Sequence, residues 1–333
     1  SPTIVAGGGS VSSGASDQIR QLAELLQIPV MTTPQAKGII PEDSHLATGV
    51  NSAVGPAKHV LPDTDLVIAI GTRLSLRGIS PDDMPPILQI DVEQDQIGKQ
   101  FPVELGIVGD ASETLTSLIS SLSVDESKLA ERRERAERLK KQFADEVIRL
   151  ASPQISVIDK ISNVLPDDAI VVQGMTNIGY WSSTALSMDS TRNYVTSSYF
   201  GTLGFAFPTA LGCQTAFPER KVVALCGDGG FMYSPQELST AMRYELNTVA
   251  VVFNNGAYGA SKWDQQHQFN GRYIGTDLFN PDFVAMAKSF GAEGIKTDAD
   301  NIEQGLAEAL ALDKPTLLEV EIQNMMPPFQ IVE

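Results

Sequence analysis

The stretch VVALCGDGGFMYSPQELSTAMRYELNTVAVVFNNGAYG, residues 222–259, decides the fold class of this chain. An apolar run at 222–226 leads straight into Gly227-Asp228-Gly229, and a second run at 248–253 leads into Asn254-Asn255-Gly256. We interpret both runs as buried strands of a parallel sheet, with helical sequence between them. Ligands of open α/β sheets bind beyond the carboxyl ends of the strands, so the two polar motifs are predicted to meet at one binding edge.

The side chains at these two strand ends suit a metal ion bound to phosphate. The carboxylate of Asp228, the side-chain oxygen of Asn255 and nearby backbone carbonyls are the hard oxygen ligands that Mg²⁺ or Ca²⁺ accepts. The flanking glycines let the backbone approach a phosphate closely. Gly-Asp-Gly alone is common in ordinary turns, and it is the asparagine at the second strand end that favours a site.

Composition and charge argue against several classes of function. The 333 residues are 42% hydrophobic, which is ordinary for a globular protein and enough for two domains. The formal net charge of −17 argues against nucleic acid or an anionic membrane surface as a partner. No apolar run approaches the roughly 18 residues of a membrane span, and the N-terminus shows no signal-peptide pattern. Cys213 and Cys226 lack metal or redox spacing, so we expect two buried thiols in a cytoplasmic protein.

Residues 1–122 alternate strand and helix signals and form the first predicted domain. The apolar runs that we interpret as strands are residues 3–6, 29–32, 66–70, 87–91 and 106–108. Helical periodicity covers residues 15–26 and 111–122. Repeated β-α units imply a parallel sheet with right-handed crossovers.

A charged segment, residues 123–150, separates this domain from the next. It contains DESKLAERRERAERLKKQFADEVIRL at 125–150, in which acidic and basic residues alternate and apolar positions are sparse. One hypothesis is a helix that binds a partner. The other, which we favour, is a solvated connecting helix held by i,i+4 ion pairs.

The β-α alternation resumes in residues 151–333, the second predicted domain. Strands are predicted at 169–172, 222–226, 248–253 and 316–322, and helices at 208–217, 281–290 and 301–312. The predicted fold class is therefore α/β, with two doubly wound parallel-sheet domains.

Three other features carry weaker signals. Gly7-Gly8-Gly9-Ser10 follows the first strand but lacks the third glycine of the dinucleotide-binding pattern, so we interpret it as a tight strand-to-helix turn. Arg73 follows a buried strand and is equally consistent with a phosphate contact and with an ordinary surface position. None of the histidines has metal or nucleophile spacing; of His45, His59 and His267, the last is the best placed for a catalytic role.

The motif pair resembles the C-terminal pyrophosphate-binding domain of thiamine diphosphate enzymes of the acetolactate synthase, pyruvate oxidase and benzoylformate decarboxylase group. In that family Gly-Asp-Gly is followed by a spacer of the length seen at residues 230–253, and then by Asn-Asn. The resemblance implies that Mg²⁺ is bound by the Asp228 carboxylate, the Asn255 side-chain oxygen and the Ala257 backbone carbonyl. The ion would bridge the two phosphates of thiamine diphosphate.

A second segment, FGTLGFAFPTALG at residues 200–212, is similar to the family segment in which a large aliphatic side chain supports the bent cofactor. Leu203 stands at that position. The loop QGMTNIGYW ahead of residue 181 departs from the Gly-Gln-His of acetolactate synthases, which leaves the substrate within the group open. The residues implied to bind the cofactor are Thr176, Asn177, Gly201, Thr202, Leu203, Gly227, Gly229, Gly230, Asn255, Ala257, Tyr258 and Gly259.

Residues 1–122 look like the central domain of these enzymes, which binds FAD in some members and is only structural in others. Full-length members begin with a further domain whose glutamate activates the cofactor, and we find no candidate for that catalytic glutamate in these 333 residues. The resemblance implies a decarboxylase or carboligase of a small 2-oxo acid that works as a homodimer or homotetramer. It also implies that the 333-residue piece alone is inactive.

Two alternatives stay open at this point. The chain could be a non-catalytic binding or assembly module that keeps the fold without the chemistry. It could also be one subunit of a split thiamine diphosphate enzyme whose activating domain is a separate polypeptide.

Overall fold

The computed structural model describes residues 1–52, 54–76, 78–197 and 200–328, which form two compact units. The first unit contains Ser1–Leu150 together with Ser187–Arg192, and the second contains the described residues of Ala151–Leu186 and Asn193–Glu333. Residues 329–333 of the second predicted domain lie outside the described residues.

The first unit is built on a six-stranded parallel sheet. Its strands are β1 (Pro2–Ala6), β2 (Val30–Thr32), β3 (Ala47–Val50), β4 (Leu66–Ile70), β5 (Ile87–Asp91) and β6 (Leu105–Val108). Their order is β3-β2-β1-β4-β5-β6, and every pairing between them is parallel. Ile4 and Ala6 pack into one apolar cluster and Val5 into another, so the sheet is buried on both faces.

Helices cover this sheet and cross between its strands. Those within this unit are α1 (Gly8–Ser12), α2 (Ser16–Leu26), α3 (Ala57–Val60) and α4 (Ala111–Ser121), and the long helix α5 (Leu129–Ser162) begins in this unit and ends in the second. Single 3₁₀ turns occupy Pro34–Ala36, Leu61–Asp63, Pro81–Asp83, Gln94–Gln96 and Glu126–Lys128. The turn predicted at Gly7-Gly8-Gly9-Ser10 is thus the start of the short helix α1.

Helix α5 is interrupted at Ala151, whose φ of −141° and ψ of 32° are not helical. Pro153 explains the break, because its ring clashes with the carbonyl four residues earlier and it has no N–H to donate. The charged segment carries the expected i,i+4 pairs, such as Arg133 with Glu137. It is not simply solvated, however, because the nearly buried Arg135 donates to the hydroxyl of Thr64 within the first unit.

The second unit is built on another six-stranded parallel sheet. Its strands are β7 (Ile170–Gln173), β8 (Tyr194–Val195), β9 (Val222–Gly227), β10 (Val249–Asn254), β11 (Glu293–Asp298) and β12 (Thr316–Glu321). Their order is β11-β12-β10-β9-β7-β8, and all these pairings are parallel. The chain passes from β7 to the edge strand β8 and then returns to β9 on the other side of β7. The order of the strands therefore reverses between β7 and β9.

Seven helices connect these strands in the part of the unit that the structure describes. They are α6 (Asn177–Ala185), α7 (Ala206–Ala216), α8 (Asp228–Phe231), α9 (Glu237–Arg243), α10 (Gly259–His267), α11 (Phe283–Ser289) and α12 (Ile302–Ala311). One apolar cluster joins the sheet to α7, α9 and α11 through Phe207, Leu238 and Phe283. The predicted fold class, α/β with two doubly wound parallel sheets, is confirmed.

Candidate functional site

The polar residues of the second unit meet at the carboxyl ends of three neighbouring strands. β7, β9 and β10 lie side by side, and each is followed within a few residues by a helix, α6, α8 or α10. This is the point at which the strand order reverses, where open α/β sheets leave a crevice for a ligand. The apolar runs form the strands, and the glycine-containing turns that follow them carry the polar side chains at this edge of the sheet.

The helix starts around this crevice leave backbone donors for a ligand. The residues that precede α6 and α10, Thr176 and Tyr258, make no side-chain capping hydrogen bond. The first amides of a helix have no partner within the helix, and they carry the positive end of its dipole. Such helix starts attract anions, including phosphate.

Asp228 is the charged group at the centre of the crevice, and it is only 2% exposed. Its Oδ1 accepts from the backbone N–H of Gly229 at 2.9 Å. Its Oδ2 accepts from the N–H of Gly256 at 2.9 Å and from the amide of Asn280 at 2.7 Å. Burial raises the pKa of the Asp228 carboxyl, and these hydrogen bonds oppose that rise because they stabilise the ionised form.

Asn255 stands at the end of the neighbouring strand with its amide held at both ends. Its Oδ1 accepts from the backbone N–H of Ala257 at 3.2 Å, and its Nδ2 donates to Oδ1 of Asn324 at 3.2 Å. The loop turns sharply between them, because Gly256 has a φ of +65°, a conformation that favours glycine. The asparagine oxygen is therefore directed toward the loop that carries Ala257.

Two glycines allow other parts of the site to approach the Asp228 loop. A Cβ added to Gly229 would lie 2.5 Å from the Tyr258 ring, so only glycine admits that ring. A Cβ on Gly230 would lie 3.6 Å from Cδ2 of Leu203, which places the leucine side chain against this loop. The motif glycines thus make room for side chains as well as for a ligand.

A cleft runs between these loops. Its lining residues are Met175, Thr176, Asn177, Ile178, Tyr180, Leu203, Gly227, Asp228, Gly229, Gly230, Phe253, Asn255, Ala257, Tyr258, Gly259, Ala260, Ile322, Gln323 and Met325. The structure therefore brings together all the sequence-predicted site residues except Gly201 and Thr202. Those two are exposed on the turn before Leu203, where Gly201 has a φ of +57°.

Sequence reasoning did not identify Asn280 or the residues after β12. Asn280 reaches Asp228 from a loop 52 residues further along the chain, and no local pattern marks it. Asn324 and Met325 follow β12, which pairs with β10. The rule that ligands bind at the carboxyl ends of strands could have indicated this third strand end.

The weaker candidates lie elsewhere or have local partners. His267 is exposed and stacks on Trp263 with ring centroids 4.3 Å apart. His45 and His59 belong to the first unit, where they contact Gln27 and Glu146. Arg73 also lies in the first unit and is exposed.

The cysteine thiols and the arrangement of possible metal ligands limit the chemistry of the site in two ways. The thiol of Cys226 is buried and its pKa is raised to about 12, while Cys213 is half-buried; both are free. Within the described ranges, no three His, Cys, Asp or Glu side chains cluster as a metal site would require. A cation at Asp228 would therefore depend on amide and carbonyl oxygens. None of the helices described is both long and apolar enough to cross a membrane.

Comparison with known protein families gives two matches. Residues 174–320 match the family model described as thiamine pyrophosphate enzyme, C-terminal TPP binding domain. Residues 1–118 match the model described as thiamine pyrophosphate enzyme, central domain. The two matched segments together cover well over half of the chain, and the first contains Asp228 and Asn255.

Individual proteins match along nearly the whole chain. A probable acetolactate synthase large subunit from Methanocaldococcus jannaschii is 34% identical, over 98% of this chain and 59% of that protein. A putative thiamine pyrophosphate-containing protein, YdaP, from Bacillus subtilis is 31% identical, over 98% of this chain and 57% of that protein. A probable 2-ketoarginine decarboxylase, AruI, from Pseudomonas aeruginosa is 29% identical over 96% of this chain and 57% of that protein. The chain thus spans a little under three fifths of the length of these relatives.

Proposed function

Because this chain belongs to the thiamine pyrophosphate enzyme family, we propose that it binds thiamine diphosphate through Mg²⁺ and serves a reaction of 2-oxo acids. The observation that carries the proposal is the meeting of Asp228 and Asn255 at the carboxyl ends of the adjacent strands β9 and β10. Helices α6 and α10, which begin beside these two residues, have no side-chain cap at their N-termini.

The oxygens around Asp228 have the chemistry that a magnesium ion requires. The ion would be held by the Asp228 carboxylate, Oδ1 of Asn255 and the backbone carbonyl of Ala257, all hard oxygen donors. A bound cation also accounts for a carboxylate at a position that is 2% exposed, because its charge favours the ionised form. In addition, Oδ1 of Asn177 is buried on the cleft side of α6 and has no hydrogen-bond partner among the described residues.

Thr176, Asn177 and the start of α10 would hold the phosphates. Their helix starts carry partial positive charge toward the cleft, which offsets the two phosphate groups together with the metal ion. Gly227, Gly229 and Gly230 carry no side chain into the cleft, and the side chains of Thr176, Tyr258 and Leu203 lie against them. The chain's overall charge of −17 does not oppose this, since these local donors and the ion set the field at the site.

Leu203 and its apolar neighbours would orient the reactive part of the cofactor. Bound thiamine diphosphate supplies an electron sink for decarboxylation or carboligation of a 2-oxo acid. Leu203 lies against the Gly230 loop, where its side chain supports a ligand from one side. Met175, Ile178 and Met325 line the same cleft and keep water from it.

Two of the relatives bear on the substrate and the reaction. Relatives named as an acetolactate synthase and as a 2-ketoarginine decarboxylase favour a 2-oxo acid substrate and leave decarboxylation and carboligation as alternatives. Homo-oligomerisation, a cytoplasmic location and inactivity of these 333 residues alone stay predictions. We do not propose FAD as a cofactor of the first unit. The N–H groups of Gly7 and Gly9 already donate hydrogen bonds to the carbonyls of Ile70 and Gly71 at the end of β4. Flavin absorbance in the purified protein would show that FAD binds.

Calorimetric titration of the chain with thiamine diphosphate tests the proposal directly. We expect binding that requires Mg²⁺ and that Asp228→Ala abolishes. Asp313→Ala is the matched control, because Asp313 is an exposed carboxylate that accepts a hydrogen bond from Asn247 and lies outside the cleft. Equal binding by wild type and Asp228→Ala, or no binding with Mg²⁺ present, would contradict the proposed function. Turnover of pyruvate by the 333-residue chain would contradict only its predicted inactivity.

A further inference from the structure

Three asparagine side chains from three different loops converge beside the cleft. Oδ1 of Asn324, just after β12, accepts from Nδ2 of Asn255 at 3.2 Å and from Nδ2 of Asn177 at 3.3 Å. The Nδ2 of Asn324 donates to the backbone carbonyl of Gly259 at 3.2 Å. One amide group therefore joins the loops that follow β7, β10 and β12.

Hydrogen-bond chemistry allows one orientation for these amides. The Gly259 carbonyl can only accept, so Asn324 must present its nitrogen there and its oxygen on the other side. That oxygen in turn requires donors, so Asn177 and Asn255 must both turn their nitrogens toward Asn324. Reversing any of the three amides would set donor against donor or acceptor against acceptor. The oxygens of Asn177 and Asn255 consequently face away from Asn324.

Gly259 supplies the space in which the amides meet. A Cβ at this position would lie 2.5 Å from Oδ1 of Asn324, 2.6 Å from Nδ2 of Asn255 and 3.4 Å from Nδ2 of Asn177. Its φ does not lie in the left-handed region, so glycine is needed here for room and not for backbone conformation. The residue after Tyr258 thus belongs to the same arrangement.

The backbone that carries Asn324 is fixed by neighbouring side chains. Asn177 donates to the carbonyl of Met325 at 2.5 Å. Trp181, which is fully buried, donates from Nε1 to the carbonyl of Met326 at 2.9 Å, and Gln154 donates to the same carbonyl at 3.0 Å. An anchored backbone lets Asn324 hold its amide at a defined position.

We propose that Asn324 is a positioning residue that fixes the Asn255 amide with its oxygen directed to the cation site at Asp228. The inference rests on the proposed function, since it concerns the ion that Asp228 and Asn255 would bind. Without an acceptor at position 324, the Asn255 amide is held only through its oxygen, by the N–H of Ala257, and its unpaired NH₂ group then competes with that oxygen for the side that faces the ion. A donor NH₂ cannot coordinate a cation. Loss of such an outer hydrogen-bond partner typically weakens metal binding about 10- to 100-fold.

The test compares three forms of the 333-residue chain by Mn²⁺ titration in the presence of thiamine diphosphate, with free Mn²⁺ measured by electron paramagnetic resonance. Asn324→Leu removes the acceptor at similar size, and we expect Mn²⁺ affinity to fall by about 10- to 100-fold. Asn324→Asp keeps an oxygen that accepts from Asn177 and Asn255 but sets its other oxygen against the Gly259 carbonyl, so we expect lower stability than wild type and a fall in Mn²⁺ affinity of less than about 10-fold. This rescue by an acceptor is a result that a merely structural role would not produce.

Asn193→Leu is the matched control. Asn193 is buried, whereas Asn324 is half-buried, and Oδ1 of Asn193 accepts from Arg220 at 2.7 Å, outside the cleft. We expect it to lower stability and leave Mn²⁺ affinity unchanged. If wild type binds Mn²⁺ and Asn324→Leu binds it with the same affinity, this inference alone is overturned. If wild type does not bind Mn²⁺, the proposed function is overturned as well. If Asn324→Leu does not fold, a fall in Mn²⁺ affinity of more than about 10-fold in folded Asn324→Asp is the result that overturns the inference.

Discussion

The amide nitrogen of Asn280 lies 2.7 Å from Oδ2 of Asp228 and donates a hydrogen bond to it. The same nitrogen lies 2.9 Å from Oδ1 of Asn254, the last residue of β10. Asn280 thus connects the Asp228 loop to the end of the adjacent strand. A buried carboxylate is costly unless donors surround it, and Asn280 is a side chain that donates to Asp228, beside the backbone N–H groups of Gly229 and Gly256.

Asn280→Ala is expected to destabilise the second unit in the absence of ligand. Hydrogen bonds to charged groups contribute about 1.5–3 kcal/mol, and this one is partly buried, so we expect the free energy of unfolding to fall by about 1–2 kcal/mol. Urea denaturation followed by Trp fluorescence measures the change. Asn247→Ala, which removes an exposed bond to Asp313, should change it by less than about 0.5 kcal/mol. Equal stability of the two variants would show that Asn280 does not support Asp228.

Gly259→Ala and Gly212→Ala form a matched pair with opposite expected outcomes. A methyl group at Gly259 would press on Asn324 and Asn255, whereas one at Gly212 in α7 meets nothing within 4 Å. We expect Gly212→Ala to stabilise the protein by about 0.5–1 kcal/mol, because alanine is the better helix former. Gly259→Ala should destabilise it by about 1–3 kcal/mol through overpacking. Thermal denaturation of both variants is the measurement, and a stabilised Gly259→Ala would contradict the convergence of the three amides.

Local sequence could predict the strands whose bounds follow from the pattern of side chains alone. β4 and β5 begin and end at the predicted residues, because β4 is an apolar run between Asp65 and Gly71, and β5 follows Pro86 and ends at the polar residue Asp91. β11 was missed because its sequence, EGIKTD, is that of a half-exposed edge strand with little apolar signal. β8 was missed because two residues are too few to form a pattern.

The candidate site divides in the same way. Asp228 and Asn255 could be predicted because each directly follows a recognisable strand. Asn324 could not be predicted from pattern, since its contact with Asn255 joins residues 69 positions apart. Gly201 and Thr202 were predicted from the family segment, and they lie outside the cleft because a turn carries them to the surface.

Thermal stability in the presence of cofactor provides a separate prediction. A ligand that binds only the folded state stabilises it by about 2.7 kcal/mol at 100 times its dissociation constant. We therefore expect thiamine diphosphate with Mg²⁺ to raise the melting temperature of the second unit, and EDTA to reverse the rise. Thiamine without its phosphates should have no effect, because the helix starts and the ion hold the diphosphate. Equal stabilisation by thiamine would show that the diphosphate is not what the site holds.

In the first unit, buried Lys37 and half-buried Glu42 form an ion pair that offers a test of stability away from the site. Nζ of Lys37 lies 2.6 Å from Oε1 of Glu42, and the lysine side chain has no exposed surface. Glu42→Gln removes the carboxylate from this ammonium, and because the pair is partly exposed at the Glu42 end we expect a loss of about 1.5–3 kcal/mol. The double variant Lys37→Met, Glu42→Leu should recover most of the loss. Asp145→Asn, which breaks an exposed pair with Lys141, should change stability by less than about 1 kcal/mol.

The same pair predicts a pH dependence with a definite sign. Burial lowers the pKa of Lys37 from its usual value of 10.5, and attraction to Glu42 opposes that shift. In Glu42→Gln the opposing attraction is gone, so the folded-state pKa of Lys37 falls further below that of the unfolded chain. Between those two pKa values the unfolded state binds more protons, and stability therefore rises with pH up to about 10.5. Denaturation of Glu42→Gln from neutral to alkaline pH should show this rise more strongly than wild type, and Lys37→Met, Glu42→Gln should not show it. A flat difference between the two variants across that range would mean that Lys37 keeps its proton in both states.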